Sequence, residues 1–135
     1  MDGVGFPGPE GIFPTMSAAR TLEVGPLSRL MKALGDETRL RMVSLLAHGE
    51  LCVCHLEEAL GLTQSGTSRQ LGVLRAAGVV EARREGSWVY YRLAPQMDEL
   101  TKSQLRALVL AFSKRERLRS DVERLIKAKG PKACR

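Results

Sequence analysis

Only Gly61 and Leu62 separate two stretches of helical pattern, residues 52–60 and 63–77. A connection this short does not let two helices lie side by side. It forces them to cross steeply, as in a helix-turn-helix. The boundary chemistry fits. Gly61 is a natural stop for the first helix. The Thr63 side chain can accept from an orphan N–H and so cap the second, which Gly78 then ends.

Two strand-like runs follow, residues 79–84 and 87–93. Glu85-Gly86 between them reads as a two-residue hairpin turn, with Gly supplying the positive φ. Alternation in the second run puts Trp88, Tyr90 and Arg92 on one face and Val89, Tyr91 and Leu93 on the other. Upstream, the pattern predicts a helix over 26–34, with Pro26 in its first turn and Leu27, Leu30, Met31 and Leu34 in one stripe. Asp36 caps a second helix, whose buried face is Leu40, Val43, Leu46 and Ala47 and which closes at His48-Gly49. Downstream, one long helix is expected over 98–127, its apolar face formed by Leu105, Leu108, Val109 and Phe112 and continued by Leu118, Val122 and Leu125. The expected fold class is mainly α with a small β-hairpin, a winged helix-turn-helix. Residues 1–14, rich in Gly and Pro, read as a flexible arm. Residues 15–126 form the folded domain, and 127–135 a flexible basic tail.

The chain has 135 residues and a net charge of +6, enough for one domain with a modest core. Aromatics are 4%, so the core must be built from Leu, Val, Ala and Met. A basic balance favours a polyanionic partner through counterion release. No apolar run approaches the roughly 18 residues of a membrane span, and the N-terminus has no signal-peptide pattern. The three cysteines, a C-x-C pair and Cys134, make a poor disulfide framework and fit thiols kept reduced in a cytoplasm.

The helix over 63–77 divides into faces. Thr67, Leu71, Leu74 and Gly78 turn to the core, whereas Gln64, Ser65, Ser68, Arg69 and Arg75 face outward, with Gln70 at the border. These side chains can donate to base edges and phosphates, and Arg69 can read a guanine with two bonds. No acidic residue lies between Thr63 and Val80, as expected of a surface that would otherwise repel phosphate. Arg83 and Arg84 near the hairpin tip, with Arg92 on the return strand, are candidate contacts to neighbouring phosphates or a minor groove. The partner implied is double-stranded operator DNA.

Cys52 and Cys54 stand at the start of the helix that supports this reading helix. Cysteine often packs as a small hydrophobe. Two residues spaced two apart on a regular helix, however, do not share one buried stripe. A helix N-terminus also favours the thiolate, and soft thiolates select thiophilic ions, by the same argument As(III) and Sb(III). Cys134 is either an incidental thiol or a third sulfur. His55 reads as a polar surface residue.

Taken together, residues 27–93 resemble the arsenic-responsive repressor family (ArsR/SmtB). The matching segments are Leu34-Gly35-Asp36-Glu37-Thr38-Arg39-Leu40-Arg41, the box Glu50-Leu51-Cys52-Val53-Cys54-His55-Leu56, the helix from Gln64 through Val80, and the wing Arg84-Glu85-Gly86 with Tyr90-Tyr91-Arg92-Leu93. The resemblance implies a homodimeric repressor of arsenical resistance genes that leaves its operator when As(III) binds Cys52 and Cys54. His55 stands where the family usually has Asp, and Glu57 where it often has a further Cys. The last predicted helix holds no His, so the resemblance gives no support for a zinc site there.

On this reading the first and last helices form the dimer through Leu27, Leu30, Met31, Leu105, Leu108 and Phe112. Drawing both sulfurs to one centre is expected to unwind the first helical turn at Cys52, and the short Gly61-Leu62 link passes the movement to the DNA-reading helix. A thiol-based redox-sensing repressor is the alternative. A thiol-dependent enzyme is disfavoured, because neither a C-x-x-C pair nor a nucleophile on a phosphate-cradling loop is present.

Overall fold

The computed structural model describes residues 23–129. The arm over 1–14, most of the tail and Cys134 lie outside the described residues. Helix α1 (Val24–Leu34) is followed by α2 (Glu37–Leu46), the two-residue strand β1 (Leu51–Cys52), α3 (Val53–Leu60) and α4 (Gln64–Ala76). The hairpin β2 (Val80–Glu85) and β3 (Trp88–Leu93) leads to α5 (Glu99–Phe112) and α6 (Glu116–Lys129). The fold is a winged helix-turn-helix: mostly helical, with one three-stranded antiparallel sheet of order β1-β3-β2.

Local chemistry sets the helix ends where capping predicts them. The Asp36 carboxylate accepts from the Arg39 N–H at 3.1 Å, the Thr63 hydroxyl from Gly66 N–H at 3.0 Å, and the Asp98 carboxylate from Thr101 N–H at 2.8 Å. Gly61 closes α3 in the left-handed conformation, φ 68°. The hairpin turn is displaced by one residue from expectation. Glu85 pairs with Trp88, and the central pair is Gly86-Ser87. Positive φ occurs only at the first of the two, 63° at Gly86, the pattern of a turn with Gly leading.

The core is aliphatic. Leu30 of α1, Met42, Val43, Leu45 and Leu46 of α2, Leu56 of α3 and Leu71 and Leu74 of α4 are almost wholly buried. Each such side chain contributes about 1.5–3 kcal/mol of transfer free energy. Among the described residues no helix is long and apolar enough to cross a membrane.

Two further expectations are corrected. The single long helix over 98–127 is two helices, interrupted between Phe112 and Glu116. The break lets α6 turn back against α2 and α3. Leu118 and Leu125 are buried there, and Asp121 forms a buried ion pair with Arg41 of α2 (2.8 and 3.0 Å). Arg124 adds a bond to the Ala59 carbonyl of α3 at 2.8 Å. A straight helix would carry this face away from its partners. The second correction concerns Cys52, which precedes α3 instead of opening it. Its backbone is extended (φ −72°, ψ 144°), and it pairs with Tyr90 of β3.

Candidate nucleic-acid interface and thiol pair

The reading helix α4 is fixed from behind. Thr67, Leu71 and Leu74 are fully buried, as their spacing predicts. A polar anchor that spacing does not reveal also holds the helix. Arg39 of α2 donates to the Gln70 side-chain oxygen at 2.6 Å and to the Ala33 and Lys32 carbonyls at the end of α1, at 2.8 and 3.2 Å. Gln70, expected at the border of the DNA-facing side, is therefore half-buried and occupied inside the protein. Gln64, Ser65, Ser68, Arg69 and Arg75 are exposed on the opposite side.

The three candidate arginines of the wing differ. Arg84 is exposed and has no ion pair among the described residues. Arg92 is held by Glu81, with its Nε at 2.8 Å. Arg83 is gripped hardest. Both oxygens of Glu50 accept from it at 2.8 Å, Glu85 accepts at 2.8 Å, and its guanidinium lies 4.6 Å from the centre of the Tyr90 ring. The Arg83 guanidinium keeps the Glu50 carboxyl below the ordinary glutamate range, so the pair is fully charged at neutral pH.

The thiol pair sits at the root of this wing. Because Cys52 is extended and Cys54 lies in the first turn of α3, their Sγ atoms reach a separation of 2.9 Å. Two residues on a regular helix could not do this, so no helical turn has to unwind to bring the sulfurs to one centre. Cys52 is buried, as packing as a small hydrophobe would have it, while Cys54 is half-buried. Both line a cleft of about 580 Å³ whose other walls include Glu57 of α3, Gln64 and Ser68 of α4, and Arg83, Arg84 and Trp88 of the wing. Thiols, reading helix and wing thus share one concavity. No group of three or more His, Cys, Asp or Glu converges anywhere among the described residues. The donor set that fits a soft ion here is the two sulfurs. His55, expected on the surface, is buried at 7% exposure, because its place in α3 turns it inward beside Leu56.

Of the residues expected at a dimer contact, Leu30, Leu105 and Phe112 are buried within the protomer, Leu27 and Leu108 are half-buried, and Met31 is exposed. Sequence reasoning missed Arg39, Glu50, Glu81 and Asp121. Apart from the Asp121–Arg124 contact, their side-chain partners lie between 6 and 80 positions away, beyond the reach of helical or strand periodicity.

Residues 36–82, which include α2 to α4 and the start of the wing, match the model of the bacterial regulatory protein, arsR family. The arsenic resistance transcriptional regulator ArsR1 of Pseudomonas putida is 44% identical over 110 residues, covering 78% of this chain and 84% of that protein. The arsenical resistance operon repressor of Escherichia coli K12 is 50% identical over 70 residues, 51% of this chain and 60% of that one. Among solved structures, a homodimeric winged helix-turn-helix DNA-binding domain of Mycobacterium bovis superposes with a TM-score of 0.56. It is 29% identical, over 84% of this chain and 89% of that one. With α3 and α4 joined by only three residues, the basic wing and the thiol box all in place, the chain belongs to the arsR family of bacterial regulatory proteins.

Proposed function

We propose that the chain is a metalloid-responsive transcriptional repressor. It binds a two-fold operator as a homodimer and lets go when As(III), or Sb(III), is taken by Cys52 and Cys54. The observation that carries this is the 2.9 Å contact of two sulfurs in a cleft that also contains the reading helix and the wing. The names of the relatives, an arsenic resistance regulator and an arsenical resistance operon repressor, support arsenical resistance genes as the target. The homodimeric neighbour supports the dimer. The protein acts in the cytoplasm on this reading, where thiols stay reduced.

The exposed face of α4 meets the major groove through Gln64, Ser65, Ser68, Arg69 and Arg75, and Arg84 meets flanking phosphate. A bound metalloid supplies a soft centre that draws both thiolates, with Cys134 as a candidate third sulfur. Cys52 is tied to Tyr90 in the sheet, and Cys54 stands about two turns before Gly61 in the same short helix. Displacing this segment moves both α4 and the wing. A coupling of about 1–3 kcal/mol lowers DNA affinity about 5- to 150-fold.

The test is fluorescence anisotropy on a duplex from upstream of the protein's own gene, titrated with arsenite under reducing conditions. The wild type is expected to release the DNA, and the variant Cys52→Ser/Cys54→Ser to bind it and stay bound. Release of the double variant by arsenite would overturn the assignment of the thiols. The neighbouring sulfurs also suit a second reading, in which peroxide takes two electrons from the thiol pair, forming a disulfide and water. Release by peroxide, reversal by a reductant and indifference to arsenite would establish that reading in place of the first.

A further inference from the structure

We infer that Glu50 and Arg83 form a latch fastening the wing to the thiol-bearing strand, with Arg83 a positioning residue of the wing rather than a phosphate contact. The latch brings together residues 33 positions apart. Glu50 directly precedes β1, and both its oxygens accept from Arg83 of β2, each at 2.8 Å. This paired geometry is the strongest form of an arginine–carboxylate contact. The Glu85 contact is a single bond from within the hairpin and so cannot fasten the wing to anything else. Between the latch partners lies Tyr90, which pairs with Cys52 on one side and with Arg83 on the other. The Arg83 guanidinium is stacked 4.6 Å over that ring. Cys52, Tyr90 and Arg83 thus stand in one row across the sheet, and Glu50 closes the row over the top.

Two consequences follow for DNA. With two carboxylates on it, Arg83 offers no net positive charge to a phosphate, whereas the adjacent Arg84 does. β1 is also only two residues long, so its ladder alone is a weak tether for a hairpin of two six-residue strands. The base of the hairpin also packs on α2, α3 and α4; the latch is the side-chain contact that fixes the angle at which Arg84 and the hairpin tip meet the duplex. A shift of the Cys52 backbone carries Glu50 with it, opens the latch and frees the wing to swing. The link to inducer release rests on the metalloid reading of the thiols; the fastening of the wing does not.

The discriminating variant is Glu50→Gln, a change at a partly exposed position that should leave the fold intact, with unchanged far-UV dichroism as the check. On charge alone, removing a carboxylate near DNA raises affinity. The latch predicts the opposite: binding to the operator duplex weaker by at least about fivefold, the low end of a site-to-site coupling. Arg83→Gln is expected to weaken binding equally and to keep the wild-type salt slope, and the double variant to be no worse than either single one. Arg84→Gln instead lowers the slope by about 0.9, the signature of one lost phosphate contact. Tighter or unchanged binding by Glu50→Gln, or a fall in slope for Arg83→Gln, overturns the latch. In the arsenite titration, Glu50→Gln is expected to release by a smaller factor than the wild type. An undiminished factor overturns the coupling of the latch to the thiols. A wild type that ignores arsenite while Glu50→Gln still binds DNA weakly removes the inducer reading and leaves the latch standing.

Discussion

Asp121 has no exposed surface, and its two oxygens take Arg41 at 2.8 and 3.0 Å as well as Arg124. The hydrogen bonds that Arg41 donates to Asp121 raise its already high pKa, so its charge is permanent. Breaking such a pair from one side is costly, since the remaining charge is left buried without a partner. Asp121→Asn is expected to lower stability by about 3–5 kcal/mol in urea denaturation, a large share of the total for a domain of this size. Replacing both members, Arg41→Met with Asp121→Leu, should recover most of that loss, because no uncompensated charge remains. If the double change is no better than the single one, the pair contributes through packing geometry and not through charge. Arg124 is exempt from this argument. Half of its side chain reaches solvent, where it can turn outward.

At the scale of elements, what was legible in the sequence was what neighbouring residues decide. Asp36, Thr63 and Asp98 cap their helices within three residues of themselves, and α1 to α4 and the hairpin stand within a residue or two of where periodicity places them. What was illegible depends on partners far along the chain. Nothing local marks Cys52 as strand; its extended backbone comes from pairing with Tyr90. The break after Phe112 leaves only a faint local mark, a six-residue step from Phe112 to Leu118 that shifts the apolar stripe by about a third of a turn; what decides it is Asp121 and Leu125, which draw α6 back onto α2 and α3. The same distinction separates Gln70 from Arg69. Adjacent in α4 and both polar, they differ in that Gln70 is engaged by Arg39 at 2.6 Å whereas Arg69 is exposed. Gln70→Ala is therefore expected to cost about 1.5–3 kcal/mol of stability, as a hydrogen bond to a charged group does. It should weaken binding to all duplexes alike by loosening α4. Arg69→Ala should leave the denaturation midpoint unchanged and relax preference at one base pair by about 1–3 kcal/mol. Denaturation and binding to operators with single base changes separate the two.

The whole molecule has a surface its own chain does not cover. α5 reaches the core of the described protomer through Thr101, Leu105 and Phe112, yet Val109 and Leu110 are exposed along it, Leu110 at 71%. Open apolar grooves run on both flanks of this helix, one past Leu93, Met97 and Leu110, the other past Val109, Leu118 and Val122. In α1, which shares a cleft with the start of α5 through Pro26, Leu30 and Thr101, Val24 and Met31 are exposed as well. Leu30, Leu105 and Phe112 are already buried within the protomer, so replacing them tests folding and says little about assembly. Leu110 is the clean probe. A second copy that buries α5 would remove this apolar surface from water, and Leu110→Glu would set a charge in the middle of it. The variant is expected to keep its helical dichroism and thermal cooperativity at high concentration, yet to sediment as a monomer where the wild type sediments as a dimer. Its operator affinity should fall far more on a two-fold site than on a half-site, because a dimer places two α4 helices about one DNA turn apart. Equal sedimentation of variant and wild type as dimers would move the interface off α5, toward α1. A wild type that sediments as a monomer at micromolar concentration would mean that the operator itself brings the two copies together. The loss on Leu110→Glu would then appear only in the steepness of the binding curve.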